Sequence, residues 1–505
     1  MDERWKFKNY AIGIDLGTTS VKVVGVDTNG RIVGTSSRPC RVAYPRYGWA
    51  EQDPNEWTKA TFDSLRELSR RIGSDNVVGI GLGSHMDGVV PVDQNGGPIR
   101  NAIIWMDRRA AKEAEWIATR VSPSKVKDIT GSSVDAYHAA SKILWLREHE
   151  SNAFESASYF LLPGNFILNK LTGEFATDPS NASSTMLMDI GLSSWSKDLC
   201  NQLDIPFEKL PEIKPAIEVA GHLTDEASAY TKLPIDIPVT IGGGDQEVGA
   251  LGAGVIEECQ VLDIIGTGEP ICACLNHLPQ KFDSPLELRP HSLPGKFLLE
   301  NPGMPSGAII EWLVSKVQLA KSLKEFDETA AMSPPGSRRL IFLPFMMGSI
   351  LPEWNHQASG GLVGLSLSHS KSDIARAVLE GLSFVLRDYI QELAKFGVQP
   401  REVIVTGGGS KSDTWMQIKS DAAAMILLRT KSTNSTALGA SMLPLIGSGI
   451  LSISLNSINQ FIGRKKSFRP SPGNRVLYDA IYRAYRSLYS NMKPSFNELG
   501  ATGSG

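Results

Sequence analysis

The chain has 505 residues, 42% hydrophobic and 21% charged, with 51 Lys and Arg against 54 Asp and Glu and a formal net charge of −3. That length exceeds what one hydrophobic core ordinarily supports, so two domains are expected, and the near-neutral charge offers no electrostatic footprint for nucleic acid or an anionic membrane. The first ten residues lack the apolar run of a signal peptide, no later stretch is long and apolar enough to span a bilayer, and five scattered cysteines make no disulfide framework, so a cytoplasmic protein acting on small molecules is expected.

Residues 10–34 read as a strand, the turn Gly17-Thr18-Thr19-Ser20, a second strand, an Asn29-Gly30 turn and a third strand. β-rich sequence follows the first glycine turn, whereas Rossmann and Walker phosphate sites need a turn that opens a helix, and G-x-x-x-x-G-K-[ST] occurs nowhere. Residues 237–254 read as a short strand, a glycine run, and Asp245 where a helix can begin. The lobe boundary is placed here, separating residues 1–247 from 248–490, with a tail at 491–505. Residues 259–274 repeat the pattern of strand, Gly266-Thr267-Gly268 turn and strand, which predicts two lobes of related design, each offering a turn to phosphate. Cys272 and Cys274 share one strand face and read as packed thiols. Residues 402–410 form an apolar strand that breaks into Gly407-Gly408-Gly409. Three glycines in a row are costly in backbone entropy, which fits a ligand lying against the main chain. Tyr478, Tyr482, Tyr485 and Tyr489 fall on one helical face and read as a docking surface, and residues 500–505 as a flexible end.

Asp15-Leu-Gly-Thr-Thr-Ser20 is shared by actin-fold ATPases generally. Residues 361–380, with Leu362, Gly364, Leu365, Asp373, Ala377 and Glu380, resemble the C-terminal signature of the FGGY family of carbohydrate kinases. Residues 44–57, Trp105-Met-Asp-Arg-Arg109, residues 171–178, Gly244-Asp-Gln246, Gly407-Gly-Gly409 and Ala437-Leu-Gly-Ala440 stand in that family's order over nearly the whole chain. The resemblance implies an α/β, two-lobed actin/Hsp70-like (ribonuclease H-like) ATPase fold, with mixed sheets flanked by helices in each lobe. Its N-terminal lobe would hold sugar and the first phosphate hairpin, and its C-terminal lobe nucleotide. It further implies ATP and Mg²⁺ as cofactors, a small sugar or polyol as substrate, and a homodimer, since relatives are often dimers or tetramers.

Phosphoryl transfer needs positioning, neutralisation of phosphate charge and a base for the incoming hydroxyl. Asp245 resembles the family's catalytic Asp, which takes that proton; an Asp after glycines is otherwise a helix N-cap. Asp15 is expected to act on Mg²⁺, directly or through water, although an Asp before a turn is also an ordinary turn-former. Gly17, Thr18, Thr19 and Ser20, with Gly266, Thr267 and Gly268, can aim backbone N–H and hydroxyl groups at phosphates from both lobes, and Gly407, Gly408 and Gly409 resemble the adenosine-side loop. Met86, Asp87, Trp105, Asp107, Tyr137, Asp245 and Gln246 are similar to acceptor-contacting positions, while His85 reads as a packed histidine.

Two departures bear on the acceptor. Xylulose kinases usually carry Met-His where this chain has Met86-Asp87, and glycerol kinase has the acid but places Arg before it, a charged fork that Met86 cannot replace. Phe345 to Trp354 stands where xylulose kinases commonly read Gly-Glu-Arg-Thr-Pro. Asp87 accepts from two hydroxyls, which suits a pentulose or a linear polyol. A pentulose such as xylulose is expected ahead of erythritol-like polyols and glycerol. An actin-fold chaperone-like or filament ATPase is the alternative of a different class; against it stand the lack of an appended peptide-binding domain and of Asp-Leu-Gly-Gly-Gly-Thr at the second turn. Retention of Asp15 and Asp245 counts against a sugar sensor without catalysis.

Overall fold

A computed structural model describes residues 9–502 and contains two seven-stranded sheets. In the first, β1 (Tyr10–Leu16), β2 (Ser20–Asp27) and β3 (Ile32–Pro39) form an antiparallel meander. β1 is buried along its whole length, which is why it reads as a near-continuous apolar run. Helix α1 (Pro54–Ile72) begins where Asp53 accepts a hydrogen bond from the Asn55 N–H and Pro54 occupies the first turn. Its Trp57, Leu65 and Leu68 share a core with Ile12, Ile14 and Val23. β4 (Val77–Ser84) runs parallel to β1, and β5 (Val219–His222) and β6 (Pro238–Thr240) complete the order β5-β6-β4-β1-β2-β3. Between β4 and β5, a helical unit that includes α2 (Ala139–His149) packs around its own core of Ile117, Ile143, Leu146 and Phe160.

The second sheet is built from β7 (Val261–Ile264), β8 (Gly268–Leu275), β9 (Glu287–Pro290), β10 (Phe297–Pro305), β11 (Glu402–Thr406), β12 (Ile426–Thr430) and β13 (Arg464–Phe468), in the order β9-β10-β8-β7-β11-β12-β13. In each sheet a three-stranded meander ends on its first strand, whose other neighbour is parallel and leads to a further parallel strand. The succession β3-β2-β1-β4-β6 thus corresponds to β10-β8-β7-β11-β12, the related design that the two glycine hairpins predict.

The last residues of the first sheet are Gly243 and Gly244, and helix α3 (Asp245–Ala253) follows directly, spanning residues 247 and 248. Helix α7 (Ser435–Gly447), reached after α4 (Gly307–Ser315), α5 (Lys371–Ala394) and α6 (Asp413–Ala423), packs not on its own sheet but on the first one. A β-carbon on Gly13 would lie 1.9 Å from the Ala437 carbonyl oxygen, and one on Gly81 2.0 Å from that of Ala440, so glycine in β1 and β4 is what lets α7 seat. α3 and α7 pack together, and Ala11, Val24, Val248, Leu251, Ala437 and Leu443 share one core that joins the two halves of the chain.

Helix α8 (Arg475–Thr502) carries the tyrosine stripe, all four rings buried, with Phe345 and Phe384 packed against them. It also corrects the expected tail: residues 491–502 are helical, because buried Phe496 extends the stripe and lies 6.2 Å from Tyr489. Residues 503–505 lie outside the described residues. Cys272 and Cys274 are free, buried thiols. Among the described residues no helix is long and apolar enough to cross a membrane.

Candidate active site

β1 and β4 end side by side, Leu16 opposite Ser84, and Gly244 pairs with Ser84 on the other side. One sheet edge therefore gathers Asp15, next to last in β1, Asp87, three residues past β4, and Asp245, which opens α3 directly after Gly244. The carboxyl ends of parallel strands are where open α/β sheets place ligands. In the second sheet β7 and β11 likewise end together, Ile264 opposite Thr406, and release the Gly266 turn and the Gly407 loop.

Asp15 is buried, with its nearest cation, Lys22 Nζ, 3.7 Å away across the hairpin and a further side-chain hydrogen bond from Asn434, the N-cap of α7. Burial outweighs both and lifts its pKa to about 6. Asp245 is the first residue of α3, and the cap position itself is Gly244. Burial, followed by the negative charges of Asp15 and Asp87, lifts its pKa to about 7 against the pull of helix N–H groups. A carboxylate so poised can take a proton near neutrality. Its neighbour Gln246 has a buried side-chain oxygen with no partner, a vacant acceptor for a hydroxyl.

Among the positions expected to contact the acceptor, Asp87 has φ +63°, in the left-handed region, and sits under Lys142, whose Nζ donates to its carbonyl oxygen at 2.6 Å. Met86 is buried against Gly244. Trp105 is half exposed, and its Nε1 donates to Thr18 Oγ1 at 2.9 Å, tying its loop to the first glycine turn. Tyr137 is buried, with its hydroxyl donated to Glu287 Oε1 at 2.8 Å, so it offers the site a ring wall. Asp107 departs from expectation. It is fully buried, accepts from Arg109 Nε and Nη2 at 2.9 and 2.8 Å and from the Ala50 N–H at 2.5 Å, and both its oxygens are used inside the fold. His85 is packed edge-on to Trp57 and held neutral by burial, its pKa lowered to about 3.

On the other side, the Gly266-Thr267-Gly268 turn is clasped by the start of α4: the Gly307 N–H donates to the Gly266 carbonyl at 3.0 Å and the Ala308 N–H to that of Thr267 at 3.1 Å. Beneath the turn, Glu269 accepts from Ser306 Oγ and from buried Lys419, which also pairs with Asp263 at 2.5 Å. The Gly407 loop docks on the same turn, with the Gly409 N–H donating to the Ile265 carbonyl at 2.9 Å. The three glycines differ. Gly407, at φ +87°, is buried, and a β-carbon there would lie 2.5 Å from the Ile265 carbonyl oxygen; Gly408 is exposed, and a β-carbon there would meet nothing within 4 Å. Gly407 therefore serves chain packing and Gly408 leaves open space.

Sequence reasoning missed Lys22, Asn434, His138, Glu287, Arg289 and Lys419. Lys22 was within reach, because the tight Gly17 turn sets the hairpin register that places it opposite Asp15. Glu287 and Arg289 alternate on one strand and meet Tyr137 and His138, about 150 residues earlier, only through the fold.

Residues 10–252 match the N-terminal domain of the FGGY family of carbohydrate kinases, and residues 265–447 match its C-terminal domain. The chain is similar to the xylulose kinase of Escherichia coli (strain K12), at 30% identity over 96% of this chain and 99% of that one. It is also similar to the glycerol kinase of Thermococcus onnurineus (strain NA1), at 31% identity over 86% of this chain and 88% of that one. The solved structure of xylulose kinase from Rhodospirillum rubrum superposes with a TM-score of 0.89 at 28% identity, over 97% of this chain and 100% of that one.

Proposed function

Because the chain belongs to the FGGY family of carbohydrate kinases, we propose that it transfers the γ-phosphoryl group of ATP to a hydroxyl of a pentulose such as xylulose. The fold is the two-lobed FGGY kinase fold, of the actin/Hsp70-like class, and the chain is an ATP-dependent sugar kinase. The observation that carries the reading is the convergence of Asp15, Asp87 and Asp245 at the joined strand ends of one sheet, with Asp245 carrying a pKa near neutrality.

In this reading Asp87, Trp105 and Gln246 hold the acceptor, with Met86 and the Tyr137 ring as walls. Asp245 removes the proton from the acceptor hydroxyl; that oxygen bonds to the γ-phosphorus as the bond to the β,γ-bridging oxygen breaks, and ADP leaves with the electron pair. A base so placed contributes about 10²–10⁴-fold. Gly17, Thr18, Thr19 and Ser20 face the phosphates from one lobe and Gly266, Thr267 and Gly268 from the other, while the open space over Gly408 admits the nucleoside. Asp15, a hard oxygen donor, fits Mg²⁺. Among the described residues no group of three or more His, Cys, Asp or Glu forms a closed cage, and Mg²⁺ is ordinarily bound by one or two carboxylates plus phosphates and water. When bound, Mg²⁺ supplies neutralisation of phosphate charge. A cytoplasmic homodimer without nucleic-acid or membrane partners completes the reading, and sedimentation velocity checks the assembly.

A polyol acceptor is the second reading, favoured by the acid at position 87 where xylulose kinases usually have histidine. A coupled ADP-release assay with MgATP over ketopentoses, ketohexoses, aldonates, glycerol and four- and five-carbon polyols decides. Stimulation by one ketopentose supports the first reading, stimulation by polyols alone the second, and silence with every acceptor overturns both.

A further inference from the structure

Behind Asp87 runs a line of buried polar groups that the transfer step does not use. His138, fully buried at the start of α2, has Nδ1 3.1 Å from Asp87 Oδ1 and 2.6 Å from the Ser184 carbonyl oxygen, while Nε2 lies 3.4 Å from Glu287 Oε1. Nδ1 meets two acceptors and Nε2, which makes no hydrogen bond, lies at ion-pair distance from a carboxylate, surroundings that favour the imidazolium. Burial alone would push its pKa down, but Glu287 and Asp87 overcome burial and raise it to about 9. Glu287 accepts in addition from the Tyr137 hydroxyl and pairs with Arg289, whose guanidinium also donates to Ser132 and to the Ser183 carbonyl. Four charges of alternating sign thus run from Asp87, whose side chain is one-tenth exposed, through buried His138 and Glu287 to buried Arg289.

We propose that His138 is a positioning residue for acceptor specificity: it holds Asp87 through Oδ1, leaving Oδ2 for the hydroxyls of a neutral polyhydroxy acceptor, and is itself held by Glu287 and Arg289 on the second sheet. The proposal rests on the reading that Asp87 contacts the acceptor. A holder matters because an unheld carboxylate would swing among rotamers; the left-handed backbone of Asp87 is itself tied by Lys142 at the carbonyl oxygen. Asp87 Oδ2 has no protein partner among the described residues, so the held carboxylate keeps one oxygen to accept with. Asp15 and Asp87 both lie close enough to act on Asp245, so an acceptor carboxylate would meet three carboxylates, which disfavours aldonates. Because β9 belongs to the second sheet and Asp87 follows β4 of the first, the grip on acceptor is also tied to how the two sheets sit.

The experiment compares His138→Phe, His138→Gln and Asp87→Asn in the full chain with D-xylulose, D-ribulose, erythritol, glycerol and gluconate as acceptors. For the best of these, His138→Phe is expected to raise the acceptor KM at least tenfold with the ATP KM within twofold. His138→Gln, which keeps one donor, should recover part of the loss, and the double variant with Asp87→Asn should be no worse than Asp87→Asn alone. If Asp87→Asn raises the acceptor KM and His138→Phe does not, the proposal fails while the acceptor reading stands. If Asp87→Asn changes nothing, the acceptor reading fails. The ¹⁵N shifts of the His138 ring test the pairing without any acceptor: an imidazolium at pH 7.5 that becomes neutral in Asp87→Asn is expected, and a neutral ring in the unaltered protein overturns the proposal.

Discussion

Gly252 and Gly439 face each other where α3 and α7 cross: a β-carbon on Gly252 would lie 2.5 Å from the Gly439 nitrogen, and one on Gly439 2.8 Å from the Gly252 nitrogen. The obstructing atoms are backbone, which cannot yield as a side-chain end can. Gly252→Ala therefore forces the helices apart, at a cost of about 1–3 kcal/mol. The helix displaced is the one that begins with Asp245, so a fall in melting temperature is expected together with at least a tenfold fall in kcat. Unchanged melting and turnover would mean that the crossing is looser than these distances allow.

Why some of this was legible and some was not has a physical basis. The two glycine hairpins declare themselves locally, because a tight turn between alternating apolar runs has few other solutions. The helix after Gly243-Gly244 was equally local. The seating of α7 on the first sheet was not, since it depends on Gly13 and Gly81 accepting a helix more than 350 residues later in the chain. Asp107 was misplaced because its motif, Trp105-Met-Asp-Arg-Arg109, mixes one residue that reaches the site with one that anchors its loop. The sequence shows the acid but not that Arg109, two residues on, consumes it.

Asp107 should accordingly behave as a structural residue. Asp107→Asn leaves the buried Arg109 guanidinium with Glu51 as its one remaining carboxylate, and since breaking a buried pair outright typically costs about 3–5 kcal/mol, a loss toward the lower end is expected. Thermal melts should show that loss, whereas at temperatures where the variant is folded its acceptor KM should stay within twofold. A selective rise in acceptor KM with normal melting would return Asp107 to the pocket.

The raised pKa of Asp245 fixes a pH dependence. With Asp245 as the proposed base, its deprotonated form is the productive one, so kcat/KM for the acceptor should rise as pH passes through about 7 and level off above it. Asp87→Asn removes one of the two repelling charges, and the acidic limb should move to lower pH even though the acceptor binds more weakly. A limb that stays in place would show that Asp87 does not act on the base.

The same shift carries a stability sign. An acid whose folded pKa lies above its unfolded value of 3.8 destabilises the fold increasingly as pH rises from about 4 to about 7, and then by a constant amount. Asp245→Asn removes that penalty. Its melting temperature should exceed that of the unaltered protein by little near pH 4 and most at pH 8, while turnover falls about 10²–10⁴-fold. A gain that does not grow with pH would place the ionised carboxylate in a solvated setting.

Gly408 separates what the protein needs from what the nucleotide needs. Its backbone lies at φ −62° and ψ −43°, an ordinary helical conformation, and a β-carbon there touches no protein atom within 4 Å. Alanine is therefore expected to leave the melting temperature unchanged or slightly raised, since it restricts the unfolded chain. If the nucleoside lies against this loop, the added methyl enters the ligand's space, and the ATP KM should rise by about tenfold with the acceptor KM unaffected; the factor corresponds to roughly 1.4 kcal/mol. Gly407→Ala is the contrasting variant. It combines φ +87° with a 2.5 Å approach to the Ile265 carbonyl oxygen, so it should lower melting temperature and ATP affinity together. Loss of ATP affinity in Gly408→Ala with the fold intact identifies the open side of the glycine run as the nucleotide surface, because no protein atom stands there to account for the effect. Normal ATP affinity in that variant would move the nucleoside off this loop, leaving the glycine run as packing for the Gly266-Thr267-Gly268 turn alone.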